Sequence, residues 1–183
     1  METTKPMPRH KQSDWLALGF RMLAAFDYPR FTVQYLCEQM GLTKGSFYHH
    51  FQGIEGFITA LMKSWEAQNT QAFITQANQE GDMRERLAAL LQQVREADQT
   101  VEAAIRAWSF SQPLVKEHLD RVDQARIQYL KSLFEGFGLS DTLALDRAKL
   151  DYAGLIGLQM LYPHMGAREM QRLYESHPWN PVS

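Results

Sequence analysis

The run TVQYLCEQMGLTKGSFYHHFQGIEGF, residues 32–57, decides the reading of this 183-residue chain. Val33, Leu36, Cys37 and Met40 recur at the spacing of one apolar helix face. Thr32 stands where that helix needs a cap, and Gly41 where it must stop. Thr43 is placed to cap a further short helix that carries Phe47, Tyr48 and Phe51. Two short helices meeting at Gly41 form a helix-turn-helix, which lays its second helix in the major groove of DNA.

The residue types suit that use. Thr43 and Ser46 are small donors near a helix N-terminus, where backbone N–H groups and the helix dipole attract phosphate. Lys44 is long enough to reach a guanine edge or a phosphate. Gly45 removes a side chain where backbone must approach DNA closely. Tyr48, His49 and His50 put three polar tips on the middle of the helix, while Phe47 and Phe51 face inward. His49 and His50 are neighbours in sequence and diverge on a helix, so they make a poor metal pair.

At these residues the chain resembles the TetR family of transcriptional regulators. The pattern from Leu36-Cys37 through Gly41-Leu42-Thr43, then Gly45-Ser46-Phe47-Tyr48-His49-His50-Phe51, follows the family's DNA-binding signature. The resemblance is specific over about residues 13–62. It implies an all-α fold of about nine helices: a polar arm and a three-helix DNA-binding module over 1–62, joined by a long helix to an effector-binding and dimerisation domain over 63–183. Carried over by motif position, Thr32, Ser46, Tyr48 and His50 contact the DNA backbone, and Gln34, Lys44, Gly45 and His49 read bases. The sequence departs from the family twice. Ile54 stands where a phosphate-holding lysine is usual, with Arg9 and Lys11 on the arm available instead. Asp27 stands where a glycine often ends the first helix.

Outward from the motif the pattern is helical throughout. Ser13 is placed to cap a first helix running to about Phe26, with Trp15, Leu18, Gly19 and Met22 on one stripe. A long fourth helix is expected from about Ile54 to Asn78, roughly 36 Å at 1.5 Å per residue. Five more follow: one with Leu87, Leu90, Leu91 and Val94; one capped by Thr100; one opening at Pro113 with Leu119, Val122, Tyr129 and Leu133 as its stripe; one running to about Tyr162; and, after a turn at Pro163–Gly166, a short one with Met170, Leu173 and Tyr174. The tail HPWNPVS has two prolines and reads as loose.

The composition is 45% hydrophobic and 22% charged, ample apolar content for a core. No apolar stretch reaches the ~20 residues of a membrane span. The polar start, METTKPMPRHKQSD, lacks the order of a secretory leader, so the cytoplasm is the expected compartment. A single cysteine, Cys37, excludes an intrachain disulfide and a multi-cysteine zinc site. It sits on the inward stripe and reads as core rather than as a redox sensor. Residues 1–53 hold six Lys+Arg against four Asp+Glu, and residues 54–183 hold 13 against 17, so the front end better suits an anionic partner.

No catalytic or metal motif is present. Gly138-Leu139-Ser140 has Thr142 where a nucleophile elbow needs glycine. Lys44-Gly45-Ser46 lacks the preceding glycine-rich loop of a phosphate-binding loop. No cofactor is expected, and no enzymatic activity. In the second domain Trp65, Phe73, Trp108 and Phe110, with His118, Tyr129 and Met160, are candidates to line a pocket for a small apolar or aromatic effector. The segment LDYAGLIGLQMLY is apolar on nearly every side. Ala153, Gly154 and Gly157 permit close helix approach there, and with Leu158 and Leu161 they form a candidate seam of a symmetric homodimer. Such a dimer presents two recognition helices to an inverted-repeat operator.

Three function classes remain. The first is a repressor released by a small molecule. The second is a regulator whose C-terminal domain only dimerises or binds a protein partner. The third is a helical enzyme or carrier with a vestigial helix-turn-helix.

Overall fold

Thr32 and Thr43 each close the start of a helix. The Thr32 hydroxyl accepts from the Tyr35 N–H at 3.1 Å, and that of Thr43 accepts from the Ser46 N–H at 3.3 Å. They open α2, Val33–Met40, and α3, Lys44–His50, on either side of Gly41. Gly41 takes the left-handed conformation at φ 65°, which costs glycine nothing. From there Leu42 donates back to the Cys37 carbonyl and seals the end of α2.

The computed structural model describes residues 10–162 and 165–176, and these contain helices and no strand. The chain divides into two compact units, Met1–Leu61 and Met62–Ser183. The N-terminal arm up to Arg9, Pro163 and His164 of the expected turn, the tail from His177, and the side chains of Met170 and Tyr174 lie outside the described residues.

In the first unit α1 spans Gln12–Ala24, a single 3₁₀ turn spans Tyr28–Arg30, and α2, α3 and the start of α4, Gly53–Glu66, follow. Trp15, Leu23, Leu36, Phe47 and Phe57 are fully enclosed. Trp15 meets Phe47 edge-on at 5.4 Å. Gly19 lets α1 touch α4: a methyl there would sit 2.9 Å from both Leu61 and Phe57.

Two expectations for α1 change. Lys11, not Ser13, is the N-cap, because the Asp14 carboxylate reaches back to the Lys11 N–H at 2.7 Å. At the other end the left-handed residue is Phe26, at φ 55°, and not Asp27. Asp27 is thereby freed to accept from the Tyr35 hydroxyl at 3.2 Å.

In the second unit α4 passes without a break through a π-helical stretch, Ala67–Gln71, into α5, Ala72–Ala77. Then come α6, Met83–Glu96; α7, Thr100–Ser109; α8, Pro113–Gly136; α9, Asp141–Leu161; and α10, Ala167–Ser176. With the α4–α5 rod counted once, nine helices stand among the described residues. Asp82 and Glu85 form a reciprocal capping box at the start of α6. Thr100 is the first residue of α7 rather than its cap, and its N–H is taken by the Asp98 carboxylate at 2.9 Å. Leu87 of α6, Leu133 and Phe134 of α8, and Ala144 and Ala148 of α9 form a shared core. At Gly136 the end of α8 meets Met83, where a methyl would lie 2.6 Å from Cγ.

Candidate nucleic-acid interface and cavity

In the first unit the helix-turn-helix divides cleanly into two sides. Leu36, Cys37, Phe47 and Phe51 are buried. Thr32, Gln34, Thr43, Lys44, Gly45, Tyr48 and His49 are exposed, and Ser46 and His50 are half-buried. All nine expected contact residues therefore reach one module's surface. Tyr48 makes a T-shaped ring contact with Phe47 at 5.7 Å and is 58% exposed. The Gln34 amide is held by Glu38 at 2.9 Å. Burial pushes the Cys37 thiol above its ordinary value, which disfavours the thiolate.

His50 has a different engagement. Its Nε2 lies 3.1 Å from the His10 carbonyl. A carbonyl only accepts, so Nε2 carries the proton, and a neutral His50 has only an acceptor, Nδ1, left to offer. Its ring thus ties the segment before α1 to the end of α3. Ile54, in the first turn of α4, is half-buried.

The second unit holds a cavity of about 1070 Å³. Its walls are mostly apolar: Phe73 and Ile74 of α5, Leu87, Leu91 and Val94 of α6, Leu130 and Phe134 of α8, and Leu155 and Leu158 of α9. Of the seven expected pocket residues, Phe73 and Tyr129 line it. Trp65, Trp108 and His118 are buried in the packing elsewhere, at 1%, 5% and 4% exposure. Phe110 and Met160 are exposed. Of the expected seam, Gly154, Gly157, Leu158 and Leu161 border the cavity, and Ala153 is exposed on α9.

One end of the cavity is polar. Arg126 of α8 donates through Nη1 to both Glu102 oxygens, at 2.8 and 3.0 Å, and to the Tyr152 hydroxyl at 3.2 Å. Through Nε it donates to Thr70 at 3.0 Å, and through Nη2 to the Asn69 carbonyl at 3.3 Å. Both of these acceptors lie in the π-helical stretch. Arg106 bonds Glu102 at 2.7 Å and Asp123 at 2.8 Å, and Tyr152 donates to Asp123 at 2.6 Å. Two guanidinium and two carboxylate groups therefore close a balanced buried network. Burial works against the charge of Arg106, but the hydrogen bond to Asp123 and the Glu102 carboxylate outweigh it and hold the group protonated. Burial drives the Tyr152 phenol well above its usual value, past the opposing pull of Arg126.

This network escaped the sequence reading. Its signal was there: Arg126 falls within the apolar stripe Leu119, Val122, Tyr129 and Leu133, where a charge needs a buried partner. Among the described residues no three of His, Cys, Asp or Glu converge as a metal site would require. None of the described helices is long and apolar enough to cross a membrane.

Residues 16–61 match the family model of bacterial regulatory proteins, tetR family. The chain carries a TetR-family DNA-binding domain. Over about nine-tenths of the chain the fold is similar to that of solved regulators. A Pseudomonas aeruginosa PAO1 protein classed as a transcriptional regulator superposes with a TM-score of 0.76 at 18% identity, covering 94% of this chain and 90% of that one. Reduced NemR of E. coli gives 0.72 at 20%, covering 88% and 92%. FadR, a fatty acid degradation regulator of Bacillus halodurans, gives 0.68 at 16%, covering 93% and 94%. At these identities the likeness establishes the fold. No curated protein sequence matches the chain. The motif, its exposed face and the family match make this TetR-type protein a DNA-binding transcription regulator.

Proposed function

We propose that the protein is a homodimeric repressor that holds an inverted-repeat operator and is released from it by a small molecule bound in the second unit. The observation that carries the reading is the exposed side of α2 and α3, where small donors, a lysine, a bare backbone and a tyrosine stand together over an aromatic core. In this reading Thr32, Ser46 and Tyr48 hold phosphates, and Gln34, Lys44, Gly45 and His49 read base edges. His50 acts through its bond to His10, placing the arm rather than touching DNA itself. The seam is the α9 face bearing Ala153, Gly154, Gly157, Leu158 and Leu161. Four of those five residues also border the cavity, so a second copy would complete its wall.

Release follows from chain continuity. The rod that begins just after the recognition helix supplies, in α5 and its π-helical stretch, part of the cavity wall. A ligand that binds one setting of that rod better than another shifts the spacing of the two recognition helices. The cavity favours this reading over a purely dimerising C-terminal domain.

The test begins with a genome-wide map of bound DNA to define the operator. Tyr48→Ala should then weaken operator and unrelated DNA alike, because a phosphate contact carries no sequence information. Lys44→Ala should relax preference at one symmetric pair of positions and cost about 1–3 kcal/mol. Unchanged affinity in both variants overturns the DNA reading. A Gly157→Glu variant that still sediments as a dimer overturns the seam.

A further inference from the structure

The charge on the cavity wall narrows the class of ligand, an inference that rests on the effector reading above. Four arginines line the cavity, Arg84, Arg95, Arg126 and Arg147, against two carboxylates, Glu102 and Asp151. Both carboxylates are already paired. Glu102 holds Arg126, and Asp151 holds Arg147 through Nε at 2.8 and 2.9 Å. Arg84 and Arg95 have no carboxylate partner among the described residues. The excess runs against its surroundings, since residues 54–183 as a whole hold 13 Lys+Arg against 17 Asp+Glu.

The two arginines lie on the same helix, with Leu87, Leu91 and Val94 between them on the cavity side. Eleven positions of α6 separate them, roughly 16 Å at 1.5 Å per residue. Leu150, Leu155 and Leu158 of α9 also line the cavity. A guanidinium beside an apolar space gains most from a planar anion that it can grip with two N–H groups. Phe73, Tyr129 and Phe134 add aromatic surface to the cavity, and with Glu102 and Asp151 both paired no free carboxylate on its wall is set to receive a cation.

We propose that the ligand is an amphipathic carboxylate, an extended acyl chain lying along α6 with its acid group on Arg95, the half-buried of the two, or on Arg84 at the far end. The paired Arg126–Glu102 end does not bind the acid group, because Glu102 would repel it.

Calorimetric titration of the full-length protein, without DNA, with octanoate, decanoate and dodecanoate against 1-octanol, 1-decanol and 1-dodecanol tests this directly. At least one acid should bind about tenfold or more tighter than its alcohol. A doubly substituted Arg84→Gln/Arg95→Gln protein with unchanged melting should lose that advantage and keep the alcohol's affinity. Equal affinity for acid and alcohol, no binding by either, or a double variant that keeps the preference overturns the proposal. Failure of the effector reading looks different: an acid that binds tightly with its arginine dependence intact, yet leaves operator affinity unchanged.

Discussion

Gly45 separates what the fold requires from what DNA requires. It lies in the first turn of α3, and its backbone is not among the left-handed glycines. A methyl added there would meet only the Thr43 hydroxyl, at 3.7 Å, an ordinary contact. Neither packing nor dihedral angle calls for glycine. Gly45→Ala should therefore stabilise the first unit by about 0.5–1 kcal/mol, since alanine gives up less chain entropy in a helix. For a domain of this size that raises the melting point by roughly 2–8 °C. On DNA the same methyl sits beside Lys44, on the face read as closest to the groove. Displacing one good base or phosphate contact costs about 1–3 kcal/mol per module. A dimer carries two modules, so operator affinity should fall by roughly 30-fold or more. Calorimetric melting and fluorescence anisotropy on a labelled operator measure the two effects on one preparation. A variant that melts higher and binds the operator as tightly as the parent refutes the close approach. One that melts lower refutes the claim that the fold leaves this position free.

Glu102→Gln should cost about 3–5 kcal/mol in urea unfolding, because Arg106 and Arg126 are left with Asp123 alone, whereas Lys116→Ala at the exposed pair with Asp120 should move stability by under about 1 kcal/mol. Burial and then the Arg121 charge hold His118 below its ordinary value; its surroundings are Lys63, Glu66, Glu117 and Arg121. The unfolded chain then binds more protons, so stability should fall as pH drops below about 6.5, and His118→Gln should flatten that slope; a parent protein that gains stability on acidification contradicts the assignment. Phe26→Gly should stabilise the first unit by about 1 kcal/mol, because Phe26 occupies a left-handed position while half exposed. A lower melting point in that variant would mean that its ring contributes more than its backbone costs.

How far the sequence carried the structure depends on the range of the interactions involved. The turn at Gly41, the caps at Thr32 and Thr43 and the inward Phe47 and Phe51 were legible, because caps, turn and helical periodicity are set by residues close by in sequence. Ser13 and Thr100 failed for an equally local reason: a nearby aspartate, Asp14 or Asp98, captured the N–H that fixes the helix start. The π-helical stretch could not be read locally, since Arg126, 56 positions beyond Thr70, holds it. The cavity was harder still. Trp65 and Phe73 are both aromatic and share one rod, yet Trp65 lies under the Arg126 guanidinium at 5.1 Å while Phe73 faces open space. Side-chain size does not say whether the opposite helix is near or far.

The π-helical stretch also sets a scale for the proposed release. A useful effector needs a coupling of about 1–3 kcal/mol between its site and DNA. Arg126 makes charged hydrogen bonds to Thr70 and to the Asn69 carbonyl, a kind worth about 1.5–3 kcal/mol each. Gaining or losing one such bond is therefore enough. A π turn fits one more residue into a helical circuit than an α turn does, so its conversion changes the rotation of everything before it. What lies before it, without a break in the helix, is α4 up to Gly53, two residues beyond Phe51. A ligand along α6 need not push on the DNA-binding module; it need only favour one hydrogen-bonding pattern at Asn69 and Thr70 over the other. In the proposed reading the acid group on Arg95 or Arg84 would hold the ligand, and the network around Arg126 would convert its presence into a change in the rod.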